Sequence, residues 1–282
     1  TPIAQYVYER GTAHGKRVQA LGGAKNHMLV LPDADLDLTA DAAVNAGFGS
    51  AGERCMAVSV LVAVEPVADQ LIPRIVERMS RLKTGDGRRS CDMGPLITRE
   101  HRDRVASYID IASADGATVV VDGRTQQFDG ADAGFWLGPT LIDRVPVASR
   151  VYSDEIFGPV LSIVRVESYE AGVALINAGR YGNGSAIFTN DGGAARRFRR
   201  EIQAGMVGIN VPIPVPVSYY SFGGWKSSMF GDSKAHGIFF DKGAGSGIDF
   251  CLTLKRIVGA DCRITGAGEP HSGDQGEGDD DG

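Results

Sequence analysis

No apolar run in this chain of 282 residues approaches the ~20 residues that a membrane-spanning helix needs. Nor does the chain open on a charged-then-apolar leader with a small-residue cleavage site, so a soluble protein that is not exported is expected. Basic surface is equally scarce. The net charge is −6, and no cluster of Lys and Arg is interleaved with aromatics, which excludes nucleic acid as a partner class. Cysteine is sparse too: Cys55, Cys91, Cys251 and Cys262 are irregularly spaced without a C-x-x-C pair. That spacing argues against a disulfide framework and a zinc site, and a reducing cytoplasm fits it best. None of the five histidines has metal-ligand spacing, so no metal is expected. His27 follows an Asn in a turn-like segment and reads as a structural or surface residue, and His101 falls on the polar face of a helix. Internal repeats, a GxGxxG fingerprint and a P-loop are all absent.

What is present is a chain with 43% hydrophobic residues, enough to core one large domain or two modest ones. Helical and strand patterns alternate along it. Helices are expected at residues 3–12, 33–48, 66–82, 99–114, 168–178 and 194–203, and strands at 58–64, 118–121, 160–166, 186–189 and 206–211. Such alternation predicts an α/β fold with a mostly parallel sheet and flanking helices. The chain begins at Thr1 and runs at once into a helix-like segment, which reads as a start partway through an α/β unit. At the other end, residues 266–282 are Gly-rich and acidic with almost nothing apolar, the composition of a disordered tail.

One segment concentrates chemistry. In Gly49-Ser50-Ala51-Gly52-Glu53-Arg54-Cys55-Met56 a single thiol stands among small residues, between an expected helix and an expected strand. Small neighbours let other groups approach the backbone closely, and an adjacent guanidinium favours thiolate over thiol, which is how a nucleophile is presented. A lone Cys is otherwise read as a small buried hydrophobe. Further along, Pro212, Pro214 and Pro216 alternate through Asn210 to Val217 and impose an extended backbone poor in donors. A pocket wall and a rigid linker are equal readings of that run.

Six ordered motifs bring a family into view. They are residues 21–27 (LGGAKNH), 48–56 (FGSAGERCM), 91–96 (CDMGPL), 155–160 (EIFGPV), 210–217 (NVPIPVPV) and 222–226 (FGGWK). In these the chain resembles the aldehyde dehydrogenase superfamily, in its CoA-acylating methylmalonate-semialdehyde dehydrogenase branch, over Thr1 to Gly231. The resemblance implies that Cys55 is the nucleophile that adds to an aldehyde and, after hydride loss to NAD, carries a thioester. It further implies that Glu155 accepts hydrogen bonds from the nicotinamide ribose, that Phe157 packs near that ribose and that the Gly22 backbone lies against the nicotinamide. A solvated loop acid, a core aromatic and a turn glycine are their plain alternatives.

Ala20 stands where hydrolytic members of the superfamily place a Glu that activates water. Water, with a pKa near ~15.7, needs such a base, whereas a thiol at about 8.5 supplies thiolate unaided. Coenzyme A is therefore the implied acceptor. Arg54, a planar cation beside the nucleophile, suits a substrate carboxylate, with thiolate stabilisation or an ion pair to Glu53 as its alternatives. The branch converts malonate and methylmalonate semialdehyde to acetyl-CoA and propionyl-CoA with loss of the carboxylate, in valine, pyrimidine or inositol catabolism. Family order divides the chain into the end of an NAD-binding domain (1–21), a catalytic domain (22–220), a return segment with an oligomerisation strand (221–258) and the acidic tail (259–282). A homo-oligomer is the implied assembly. A non-catalytic remnant that associates with full-length subunits, and a hydrolytic NAD-dependent aldehyde dehydrogenase, are the alternative functions.

Overall fold

Polar side chains set just ahead of apolar segments start most of the long helices. Asp35 accepts hydrogen bonds from the Asp37 and Leu38 amides, Thr98 from the His101 amide, Ser168 from Ala171 and Asp191 from Gly193, each satisfying donors that a helix start leaves over. The structure is a computed structural model. It describes residues 1–126, 128, 134–216 and 222–231, together with the backbone of 256–258.

Its elements run in chain order as α1 (Pro2–Ala13), β1 (Ala20–Leu21), β2 (Asn26–Val30), α2 (Leu36–Phe48), β3 (Val58–Val64), α3 (Val67–Arg81) and α4 (Arg99–Ala114). There follow β4 (Thr118–Val121), β5 (Thr140–Asp143), α5 (Arg150–Ser153), β6 (Val160–Val166), α6 (Tyr169–Ala178), β7 (Tyr181–Gly182) and β8 (Gly184–Phe188). The last are α7 (Gly192–Glu201), β9 (Met206–Ile209), β10 (Trp225–Lys226), β11 (Met229–Phe230) and β12 (Arg256–Val258). An eight-stranded sheet in the order β12-β9-β8-β2-β3-β6-β5-β4 carries the fold. Every pairing in it is parallel except β4 with β5. The expected α/β class, with a mostly parallel sheet and flanking helices, holds.

At its centre β3 is apolar at every position but Ser59. Val60, Leu61, Val62 and Ala63 of β3 all have 0% exposure, and because successive side chains point to opposite faces, both faces of the sheet are covered. Helices α2, α3 and α6 pack against β3 and its neighbours. Arg74 and Arg78 of α3 reach Asp37 of α2 at 2.7 and 3.0 Å, and Arg78 also meets Asp41. Two elements run against the sequence expectation. Residues 26–30 form β2 in the middle of the sheet, so His27, expected in a turn-like or surface setting, is buried in a strand. Residues 140–143 form β5, which the sequence pattern did not distinguish.

Outside the main sheet, β1 pairs with β11 and β7 with β10 in two small antiparallel ribbons. The first carries α1, whose Tyr8 ring lies 6.2 Å from that of Phe230. Of the oligomerisation strand expected within 221–258, residues 256–258 are described; they pair with β9 at the end of the sheet. Residues 217–221 of the Pro-rich run and beyond, and the tail at 259–282, lie outside the described residues. Among the described residues no helix is long and apolar enough to cross a membrane.

One ion pair inside the sheet is a direct check on this packing. Arg165 of β6 sets its fork on Asp143 of β5 at 2.7 and 3.1 Å, with Asp143 only 5% exposed, and reaches Glu65 and Asp69 at the rim. Replacing Asp143 with Ala strands a largely buried cation, and urea denaturation should show a loss of about 3–5 kcal/mol. A loss below about 1 kcal/mol would mean that Glu65 and Asp69 hold Arg165 without it.

Candidate active site

Cys55 sits at the end of a tight left-handed turn. After α2 the chain passes through Ser50 (φ 54°), Ala51 (φ 54°) and Gly52 (φ 69°). Left-handed backbone costs an L-residue about 1–2 kcal/mol, so two non-glycine residues in succession mark a conformation that its surroundings impose. Gly52 has a visible reason. A Cβ there would lie 2.2 Å from the Gly158 carbonyl oxygen, so the turn before Cys55 and the 155–158 loop touch backbone to backbone.

The Cys55 side chain is exposed while its backbone is held fast. Its carbonyl accepts from Asn26 Nδ2 and from Asn183 Nδ2, both at 2.9 Å. Asn26 also donates to the Ala57 carbonyl at 2.8 Å and accepts from the Gly184 amide at 3.0 Å, so one buried carboxamide joins β2, β8 and the Cys55 segment. Arg54 turns away from solvent. Its Nη2 donates to the Asn45 and Ala46 carbonyls at 2.8 and 3.2 Å, closing the C-terminal end of α2. Burial pulls the Arg54 pKa down and the Cys55 sulfur opposes that pull. Its Nε is buried with no hydrogen-bond partner. The ion pair considered between Arg54 and Glu53 does not form; Glu53 lies 3.3 Å from His101 Nε2 instead.

His101 ties the turn to the next loop. Its Nε2 is 2.6 Å from the Phe157 carbonyl, and Arg104 donates to its Nδ1 at 3.2 Å and to the Ile156 carbonyl at 2.9 Å. Donation to Nδ1 requires that nitrogen to be unprotonated, which puts the ring proton on Nε2, aimed at Phe157 O. Phe157 itself is held at φ 59° with its side chain exposed. Two residues earlier, Glu155 Oε1 accepts from the Ala24 amide at 2.8 Å. A side chain at Gly23 would displace that carboxylate, since a Cβ there would lie 2.4 Å from Glu155 Oε2. Gly22 is required for a different reason: its amide donates to Ser228 O at 3.0 Å, and a Cβ would fall 2.1 Å from Ser227 O. Its φ is not left-handed; close backbone approach, not turn conformation, selects glycine here.

Cys55, Glu155, Phe157 and the segment 22–26 thus meet at one place. All precede or begin strands that run parallel, so the site lies along the amino edge of the sheet, opposite the carboxyl edge at which open α/β sheets ordinarily hold ligands. A cavity lined by Phe48, Gly49, Asp92 and Met93 lies beside the end of α2 and includes none of these groups. Among the described residues no group of three or more His, Cys, Asp and Glu could hold a metal ion. Asn26, Asn183 and Lys25 were not singled out by sequence; an Asn or Lys carries no local pattern when the group it serves is 29 residues away, as for Asn26, or 126 and more, as for Lys25 and Asn183.

The family is now plain. The model of the aldehyde dehydrogenase family matches residues 1–241, and the chain belongs to that family. It is 57% identical over 240 residues to a malonate-semialdehyde dehydrogenase of Pseudomonas aeruginosa, covering 84% of this chain and 48% of the relative. A crystal structure of a methylmalonate-semialdehyde dehydrogenase from Oceanimonas doudoroffii superposes with a TM-score of 0.81 at 52% identity, over 84% of this chain and 49% of that one. A structure from Sinorhizobium meliloti 1021 assigned to the same enzyme and complexed with NAD gives a TM-score of 0.82 at 52% identity, over 84% and 48%. The chain therefore spans about half the length of the relatives that it matches.

Burial of His27 gives the fold a pH signature. Burial above all, with the charge of nearby Lys25, lowers its pKa from 6.5 to about 3. The unfolded chain then binds a proton that the folded chain refuses. Stability contributed by neutral His27 is present above pH 6.5 and is lost as pH falls toward 3, by up to about 1.4 kcal/mol per unit. Unfolding free energies of wild type and His27→Gln across that window should diverge in slope, with the variant flatter; parallel slopes would show that His27 does not carry the effect.

Proposed function

We propose that this chain is the catalytic and substrate-binding part of an NAD-dependent, CoA-acylating dehydrogenase of malonate or methylmalonate semialdehyde. The observation that carries the reading is an exposed thiol on a backbone locked by two carboxamides, in a chain whose Ala20 stands where the family resemblance would put a water-activating Glu. The names of the relatives support the substrate class. Locked geometry matters because a nucleophile held at the reacting carbon has its orientation settled before the reaction.

Cys55 would add as thiolate to the aldehyde carbon to form a thiohemiacetal. Glu155, with one oxygen fixed by the Ala24 amide, the exposed Phe157 ring and the side-chain-free backbone at Gly22 and Gly23 fit the nicotinamide ribose end of NAD. When bound there, NAD supplies the hydride acceptor that turns the thiohemiacetal into a Cys55 thioester. Release of the acyl group needs a second nucleophile. Ala20 is 8% exposed and pairs with Phe230 in the small ribbon, so it offers no base. Glu155 is engaged at Ala24, and Glu53 near His101 and the Ile97 amide. A thiol acceptor, coenzyme A, requires no such base.

Arg54 is the group we assign to the substrate carboxylate. Its guanidinium is carried one residue before the exposed thiol, and of its donors only Nη2 is committed to the end of α2. The separate α1–β1–β11 unit supports residues 1–21 as the end of an NAD-binding domain, with catalytic residues at 22–220. Position at the end of the main sheet supports a subunit-pairing role for the strand within 221–258 and a homo-oligomeric assembly.

Two measurements on the complete polypeptide that contains this chain test the reading. With malonate semialdehyde and NAD alone, NADH should form in a burst of about one equivalent of Cys55, and steady turnover should begin only when CoA is added. Steady release of free acid without CoA would establish the hydrolytic reaction instead. Arg54→Leu should raise KM for malonate semialdehyde by about tenfold or more while changing that for propanal little, since a charge-assisted hydrogen bond is worth about 1.5–3 kcal/mol. An equal rise for both aldehydes would remove Arg54 from substrate recognition.

A further inference from the structure

Lys25 is a buried cation without a place in the reaction described above. It is 5% exposed, and its Nζ donates to the Val151 carbonyl at 2.9 Å and to the Asp154 carbonyl at 2.7 Å, both at the end of α5. Burying a Lys at that spot is costly unless the ammonium does something an apolar residue cannot. Its neighbours show what that is. Three consecutive residues fix three parts of the site: the Ala24 amide holds Glu155, Lys25 holds the turn that leads into Glu155, and the Asn26 carboxamide holds the Cys55 carbonyl.

We propose that Lys25 is a positioning residue whose ammonium clamps the α5 turn to the 22–26 segment and thereby sets the Glu155 carboxylate against the Ala24 amide. The turn has no other tie of this kind to residue 25: the Asp154 carboxylate faces the other way, accepting from Tyr108 at 2.9 Å and from Arg150 at 3.0 Å. Only its backbone carbonyl is turned to Lys25. Neutralising Lys25 replaces an ionic donor with a weaker neutral one, so the turn, and Glu155 with it, is released. The charge state of Lys25 is tunable near neutral pH. Burial lowers its pKa from 10.5 to about 7, while Asp154 and Glu155 pull in the opposite direction. His27, the other titratable group on this segment, stays neutral over that range, and Tyr108 and Arg150 act on Asp154 alone. This inference rests on the reading of Glu155 as a cofactor contact only for its functional consequence, not for the clamp.

The test uses the chain as it is, with the Ala24 amide followed by NMR. In wild type the Ala24 proton shift should step with a midpoint near pH 7, and its exchange with solvent should be slow below that pH and faster above it. Lys25→Met, which keeps the length of the stem, should abolish the step and speed Ala24 exchange about tenfold or more, approaching the rate in Glu155→Gln. A core variant such as Val62→Ala should leave both the step and the protection relative to its neighbours in place. Unchanged Ala24 protection and a persisting step in Lys25→Met would overturn the clamp, and so would a wild-type shift that is flat across pH 7. Should the clamp hold while Glu155→Gln leaves the KM for NAD of the complete enzyme unchanged, the cofactor role of Glu155 fails and the proposal for Lys25 stands.

Discussion

The site depends on the pair of hydrogen bonds that Asn26 and Asn183 make to the Cys55 carbonyl. The role proposed for Cys55 needs a side chain that is reachable and yet fixed, and these demands conflict on a surface loop, where reachability normally brings mobility. Here they are divided between two parts of one residue. The sulfur is exposed, and the backbone that carries it is bonded to the first residue of β2 and to the residue just ahead of β8, both anchored in the main sheet. The left-handed turn through Ser50, Ala51 and Gly52 follows from this, because the chain must double back from the end of α2 to reach those two donors. Arg54 secures the near side by closing α2, and Gly52 secures the far side by letting the Gly158 carbonyl come close.

The same economy extends to the polar residues under the site. Segment 25–27 enters the sheet with an ammonium, a carboxamide and an imidazole where an ordinary central strand would have aliphatic side chains, and the Ala24 backbone amide precedes them. Each is engaged: the Ala24 amide with Glu155, Lys25 with two carbonyls, Asn26 with the Cys55 segment, and His27 with Tyr152 at 3.2 Å. Buried polar groups that are fully engaged fix one arrangement, because any other leaves some of them unsatisfied at a cost of about 1–3 kcal/mol each. Order at the amino edge is thus enforced from within the sheet, not only by the loops above it.

Much of the fold was legible because its elements obey simple patterns. The strands at 58–64, 118–121 and 160–166 and the helix at 99–114 have the extents that their hydrophobic runs predict. β2 was hidden because Asn26 and His27 look like turn residues until their buried partners are known, and β5 because four residues between a Gly-Pro pair and an Arg carry too little periodicity. Of the site, Cys55 was visible in its own frame of small residues, while Glu155, Phe157 and Gly22 were reached through family resemblance. Arg54 was visible as a cation beside a thiol, but its grip on the end of α2 was not, since it reaches back eight and nine residues to backbone carbonyls. Asn183 and the carbonyls that hold Lys25 stand 128 and at least 126 residues away from the groups they serve, and no local signal spans that distance.

All of this requires the thiol at position 55 to face solvent from a rigid base. Timed alkylation of the native chain with iodoacetamide, read by peptide mass spectrometry at each cysteine, tests that directly. Cys55 is expected to be labelled ahead of Cys91, and replacing Asn183 with Ala should slow or scatter that labelling without unfolding the protein. A native chain in which Cys55 resists the reagent while Cys91 reacts would contradict the account.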